Sequence, residues 1–149
     1  MPRTTAKLPK AIKENLAPAP VPMQKKDAMP ANKRASSFLK YWIPVLLCMG
    51  VVFATSSVPG KNIPSIFPFQ DIAYHWLMYL ILAYFFARAL RITSPQKRLS
   101  EIILLTVIFG VLYGITDELH QAFVPGRTVS GFDVFIDGVG SLLGSLIYR

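Results

Sequence analysis

The sequence predicts an all-α protein: a membrane-spanning bundle of four transmembrane helices with a disordered basic N-terminal tail. Three observations carry this expectation. The 149 residues are 52% hydrophobic and only 16% charged, against about 25% charged in ordinary soluble domains, and the mean hydropathy is +0.42. Runs almost free of charge recur at close to the length a bilayer demands, about 20 residues as helix. Positive charge concentrates in the tail, the middle connection and the C-terminal Arg149, the kind of asymmetry that orients membrane helices.

The tail comes first. Residues 1–37 hold Arg3, Lys7, Lys10, Lys13, Lys25, Lys26, Lys33 and Arg34 against Glu14 and Asp27, much of the chain's net +8. Six of the 12 prolines also lie there, and apolar residues are too sparse to offset the entropy of ordering. The segment reads as a disordered, Pro-rich cytoplasmic tail attracted to anionic lipid. It lacks aromatics to stack on bases, so no nucleic-acid partner is expected. The apolar region begins only near Phe38 with no clear cleavage site, so the segment is not a signal peptide. Residues 38–149 form the second region, a four-helix transmembrane domain.

Tyr41 to Gly60 contains no charged residue and is the clearest span. Pro44 is a candidate kink near its start, and Pro59-Gly60 ends it. The second span runs from about Gln70 to Arg88, the third from about Leu99 to Glu118, and the fourth from about Ser130 to Arg149. The loop between the second and third carries Arg88, Arg91, Lys97 and Arg98, whereas residues 55–70 carry only Lys61 and the last loop only Arg127. The positive-inside rule then puts both termini in the cytoplasm and turns the loops at 55–70 and 117–132 outward. The single cysteine, Cys48, excludes an intramolecular disulfide and reads as a small buried side chain.

Ionisable groups gather at the outer ends of three spans. Asp71 and His75 open the second, Asp117 and Glu118 close the third, and Asp133 and Asp137 open the fourth. A charge within the hydrocarbon costs a few kcal/mol and normally turns inward or pairs. Spacing supports convergence: Asp71/His75 and Asp133/Asp137 are i,i+4 pairs, while Glu118/Gln121 and Asp117/His120 are i,i+3 pairs. Tyr79 continues the His75 face. Gly140 and Gly144 continue the Asp137 face as a small-xxx-small pattern that admits a neighbouring helix. The five acids face Arg127 alone, a formal −4 with both histidines neutral. At low dielectric that excess calls for protonated carboxylates, a cationic histidine or a bound cation. Ser130 to Asp133 fits a capping box, and Val124-Pro125-Gly126-Arg127 fits a type II turn. No HExxH, P-loop, GxSxG or cysteine metal motif is present. The two histidines and the carboxylates come from separate helices, so no metal site is assigned, and nothing names a cofactor.

Taken together, Ser56-Ser57-Val58-Pro59-Gly60, Asp71-Ile72-Ala73-Tyr74-His75, the run from Asp117 through Gln121 to Arg127, and Asp133-Val134-Phe135-Ile136-Asp137 resemble the VanZ-like family over residues 38 to 149. Ile72 stands where family members often carry lysine, and Asp137 where they often carry asparagine. The resemblance implies a small polytopic protein of the bacterial cytoplasmic membrane, part of the cell envelope and linked to resistance to the glycopeptide teicoplanin. It carries over Asp71, His75, Glu118, Gln121, Arg127 and Asp133 as the functional set, to which the depth of Asp137 adds a seventh. The leading expectation is a non-enzymatic protein. Its outward-facing polar pocket would bind a lipid headgroup, a lipid-linked cell-wall precursor or a glycopeptide, among membrane lipids. Two alternatives stand beside it: an intramembrane enzyme acting on a lipid or lipid-linked substrate, with Glu118 or His75 as base, and a small transporter. A homo-oligomer is compatible with so small a bundle.

Overall fold

The computed structural model describes the backbone of residues 31–148 and the side chains of residues 38–148. Among these, four α-helices follow one another: α1 (Ala31–Ser56), α2 (Gln70–Thr93), α3 (Leu99–Gln121) and α4 (Gly131–Ile147). A 3-10 turn occupies Gly60–Asn62, and no strand is present among the described residues. Three segments are long and apolar enough to cross a membrane: Phe38–Ser56, Gln70–Thr93 and Leu99–Gln121. The fourth helix has 17 residues.

Two boundaries differ from the sequence reading. The expected disordered tail lies outside the described residues as far as residue 30, but from Ala31 the backbone is already helical. Ala31, Lys33, Arg34 and Ala35 are good helix formers, so the helix extends into the basic segment. The second helix continues past Arg88 to Thr93. Arg88 and Arg91 mark the edge of the apolar run but not the end of the helix, because cations near a helix C-terminus complement its dipole. Pro44 lies inside α1, and the helix runs through it.

Successive helices alternate in direction. The start of α1 lies beside the end of α2, where Trp42 meets the edge of Phe86 at 5.5 Å and the Arg88 guanidinium covers the Tyr41 ring at 5.3 Å. Phe86 in turn stacks on Phe109 of α3, with centroids 4.0 Å apart and rings 5° from parallel. Helix α4 packs chiefly on α2 and α3, and α1 packs mainly on α2.

Small residues set these distances. A Cβ on Gly144 would overlap the Leu80 carbonyl oxygen, and one on Gly140 would come within 2.6 Å of the Trp76 carbonyl oxygen. The α2 and α4 backbones therefore run in direct contact, as the small-xxx-small pattern implies. On the other side of α4, Gly110 and Gly114 of α3 leave the space that Ser141 and Asp137 fill. The interior is consequently rich in small and polar groups, including Thr106, Asp137, Ser141 and Ser145. The outer surface carries Leu46, Leu47, Leu104 and Leu112, all exposed. Large apolar side chains outside and small polar ones inside suit a bundle solvated by lipid.

Candidate functional site

At the end of the bundle where α2 and α4 begin and α3 finishes, the backbone prepares a polar recess. Gly126 has φ +76°, and the Arg127 N–H donates to the Val124 carbonyl at 3.2 Å. Those are the marks of the type II turn expected from Pro125-Gly126. The turn is fastened to the first loop. The Gly60 N–H donates to the Pro125 carbonyl at 3.0 Å, and a Cβ on Gly60 would overlap the Gly126 oxygen. Two loops far apart in sequence thus close on each other and hold Arg127 over the recess. The segment before α2 is fixed by Gln70, whose side chain accepts from the Ile66 N–H and donates to the Pro64 carbonyl, each at 2.8 Å.

The recess is a cleft of about 340 Å³ whose polar walls include Asp71, His75, Gln121, Arg127, Thr128 and Asp133. Five of the seven residues expected from the sequence therefore line one space. The other two, Glu118 and Asp137, lie deeper, 4% and 0% exposed. The His75 ring reaches both levels, because its Nδ1 pairs with Asp137 Oδ1 at 3.1 Å.

Several partners differ from those expected. His75 bonds to Asp137 rather than to its i,i+4 neighbour Asp71, which is exposed one turn nearer the mouth. Helical spacing put Asp71 and His75 on one face, but the Gly140 and Gly144 contacts bring Asp137 to the same depth as His75. Arg127 forms no ion pair among the described residues, and its Nε is buried without a partner. His120 turns away from Asp117 to α1, with Nε2 2.9 Å from Ser57 Oγ and its ring stacked on Phe53 at 4.4 Å. The capping box is only half formed. Ser130 Oγ accepts from the Asp133 N–H at 3.3 Å, but the Ser130 N–H donates to Glu118 Oε2 at 2.6 Å. The Asp133 side chain is thereby released to line the cleft.

One residue of the buried group lies outside the set expected from the sequence. Asp117 is 5% exposed and lies in the buried group, where its Oδ2 accepts from Gln121 Nε2 at 3.0 Å. The i,i+4 spacing of Asp117 and Gln121 was the signal that could have found it.

A second cavity of about 430 Å³ opens beside the cleft and shares Ile63, Phe67, Gln70, Asp71, His75 and Arg127 with it. Its remaining walls include Val58, Ile66, Tyr74 and Leu77. A polar compartment and an apolar one therefore meet at a common wall containing His75 and Arg127.

The model of the VanZ/LLP1 family matches residues 41–149, which take in α1 from Tyr41 onward, the other three helices and both loops of the cleft. Neither a curated protein nor a solved structure matches the chain. The family match covers well over half the sequence, and three of the helices are long and apolar enough to cross a membrane: the chain is a membrane protein belonging to the VanZ/LLP1 family.

Proposed function

We propose that the protein is a binding protein of the bacterial cell envelope that holds a phosphate-bearing lipid headgroup or lipid-linked cell-wall precursor in the cleft. The observation that carries this reading is the shared wall between the polar and apolar cavities. An amphiphile needs that pairing: its chain fits along Ile66, Tyr74 and Leu77, while its phosphate meets Arg127. An arginine with an unpartnered buried Nε suits an anionic oxygen, since charge-assisted bonds to phosphate are short and directional. Ile66, Phe69 and Phe123 are highly exposed around the mouth and would sit among headgroups.

In this reading all four helices cross the bacterial cytoplasmic membrane with both termini in the cytoplasm and the cleft outward. Helix α4 is within the range that can span, about 17–25 residues. Phosphatase fusions after Lys61 should be active and fusions after Arg98 inactive; an active fusion after Arg98 would overturn the orientation. Occupancy of an envelope lipid is also how the protein would influence teicoplanin, by changing what the antibiotic meets at the membrane surface.

Lipid retained by the purified protein and identified by native mass spectrometry tests the binding. Arg127→Gln should lower the phosphate-bearing lipid several-fold at normal membrane abundance. Equal retention by that variant would sink the proposal. The buried His75–Asp137 pair favours one further reading, an intramembrane enzyme with His75 as general base. That reading requires turnover of the retained lipid, and His75→Gln would abolish it.

A further inference from the structure

The most demanding feature of the interior is its unbalanced charge. Asp117 and Glu118 are adjacent and almost fully buried, yet among the described residues neither has a cationic partner, and the one acid–histidine contact is His75–Asp137. Buried carboxylates without cationic partners cost several kcal/mol each, and two side by side repel. Both are nevertheless held firmly in place. Asp117 is fixed by Gln121 Nε2 through one oxygen, and Glu118 by the Ser130 N–H through one oxygen. The second oxygen of Glu118, Oε1, is buried with no hydrogen-bond partner.

His75 completes the group. Its Nδ1 is engaged by Asp137, and its Nε2 has no hydrogen-bond partner among the described residues. Donor atoms of His75, Asp117 and Glu118 lie within 4.8 Å of one another. We propose that His75, Asp117 and Glu118 bind one divalent transition-metal ion, oriented by Asp137, Gln121 and the Ser130 amide.

Each ligand is steadied by a group behind it, the arrangement that metal sites use to fix ring orientation and carboxylate direction. Asp137 on the Nδ1 side holds the tautomer that leaves Nε2 as the ligand. One imidazole and two carboxylates suit Zn²⁺ or Mn²⁺. Ligand bonds of about 2.0–2.2 Å would draw the three donors together by roughly 1 Å, within the reach of side-chain rotation. Two carboxylates and a neutral imidazole cancel a divalent charge, which removes the excess of Asp117 and Glu118, while Asp137 keeps its hydrogen bond from the His75 ring. Three protein ligands also leave a coordination position toward the cleft that His75 lines, where a water or an anionic oxygen completes the shell. The metal site stands whether or not the cleft binds lipid.

The test uses the full chain, purified without a histidine tag, with metal counted by mass spectrometry. It is then stripped with a chelator and titrated with Zn²⁺ and Mn²⁺ while thermal unfolding is followed. About one ion per chain is expected, with a saturable rise in unfolding midpoint for at least one of the two ions. Glu118→Gln and His75→Ala should abolish both. Asp137→Asn keeps an acceptor for His75 and should weaken metal affinity by about 10–100-fold. His120→Asn, which alters the other histidine, should leave metal content unchanged. Absence of bound metal together with no saturable shift in the unaltered protein overturns the proposal, as does metal content that survives Glu118→Gln and His75→Ala undiminished.

Discussion

Where α2 ends and α3 begins, Phe86 lies flat on Phe109, Trp42 meets Phe86 edge-on, and Ala87, Ala89 and Ile102 are fully buried. Where α2 begins and α3 ends, the same two helices enclose His75, Asp117, Glu118 and Gln121, with Asp137 supplied by α4. The first end is held by contacts that are individually small and shared among many atoms. The second is held by assigned partners, so losing one side chain strands another. In lipid, where apolar surfaces gain little by leaving their solvent, this contrast decides which residues matter singly.

Four substitutions, with Gly50→Leu as a neutral control, probe the contrast in descending order of effect. Gly144→Leu should be the most damaging, because the helix seam serves both ends and its Cβ would overlap the Leu80 backbone oxygen. A loss of about 3 kcal/mol or more, beyond ordinary overpacking, should appear as a lowered melting point in detergent. Gly50→Leu, with open space around Gly50, should melt like the parent. If Gly144→Leu also does, the α2–α4 seam is wrong.

Asp137→Ala comes next. It leaves the buried His75 Nδ1 without its partner, at a cost of about 3 kcal/mol. Phe109→Leu at the packed end should cost only about 1 kcal/mol, the increment of an aromatic stack. Chemical unfolding of both variants in one detergent would rank them, and a larger loss for Phe109→Leu would invert the comparison. Ser57→Ala removes the hydroxyl facing His120 and should have the smallest effect of the four, about 0.5–1 kcal/mol. A larger loss would make the α1–α3 clasp a third stabilising region.

Legibility in the sequence follows the same division. Features set by neighbours along the chain could be read: the start of α2 at Gln70, the start of α3 at Leu99, the Ser130 cap and the turn at Pro125-Gly126. Gly140 and Gly144 were legible as a contact stripe because their spacing carries a steric meaning. The pairing of His75 with Asp137 was not, since the two residues are 62 apart in sequence. Intrahelical spacing offered Asp71 as the partner instead. The decisive information lay in Gly110 and Gly114, whose missing side chains admit Ser141 and Asp137. Those glycines sit in an apolar run that reads merely as hydrophobic. The role of Glu118 as acceptor for the Ser130 N–H was hidden because capping rules look three residues ahead, to Asp133, rather than across to another helix.

That last bond has a consequence for biogenesis. Helix α4 does not finish its own first turn: the amide at its cap is satisfied by a carboxylate on α3. Alone, it would present Asp133, Asp137 and an unsatisfied cap to the translocon, on a helix of only 17 residues. Its stable insertion should therefore depend on helices made before it, so that the chain matures from its N-terminal side and α4 docks last. In an insertion assay, residues 128–149 alone should remain largely uninserted, whereas the same residues preceded by 70–127 should integrate. Equal integration of both would make α4 an autonomous span.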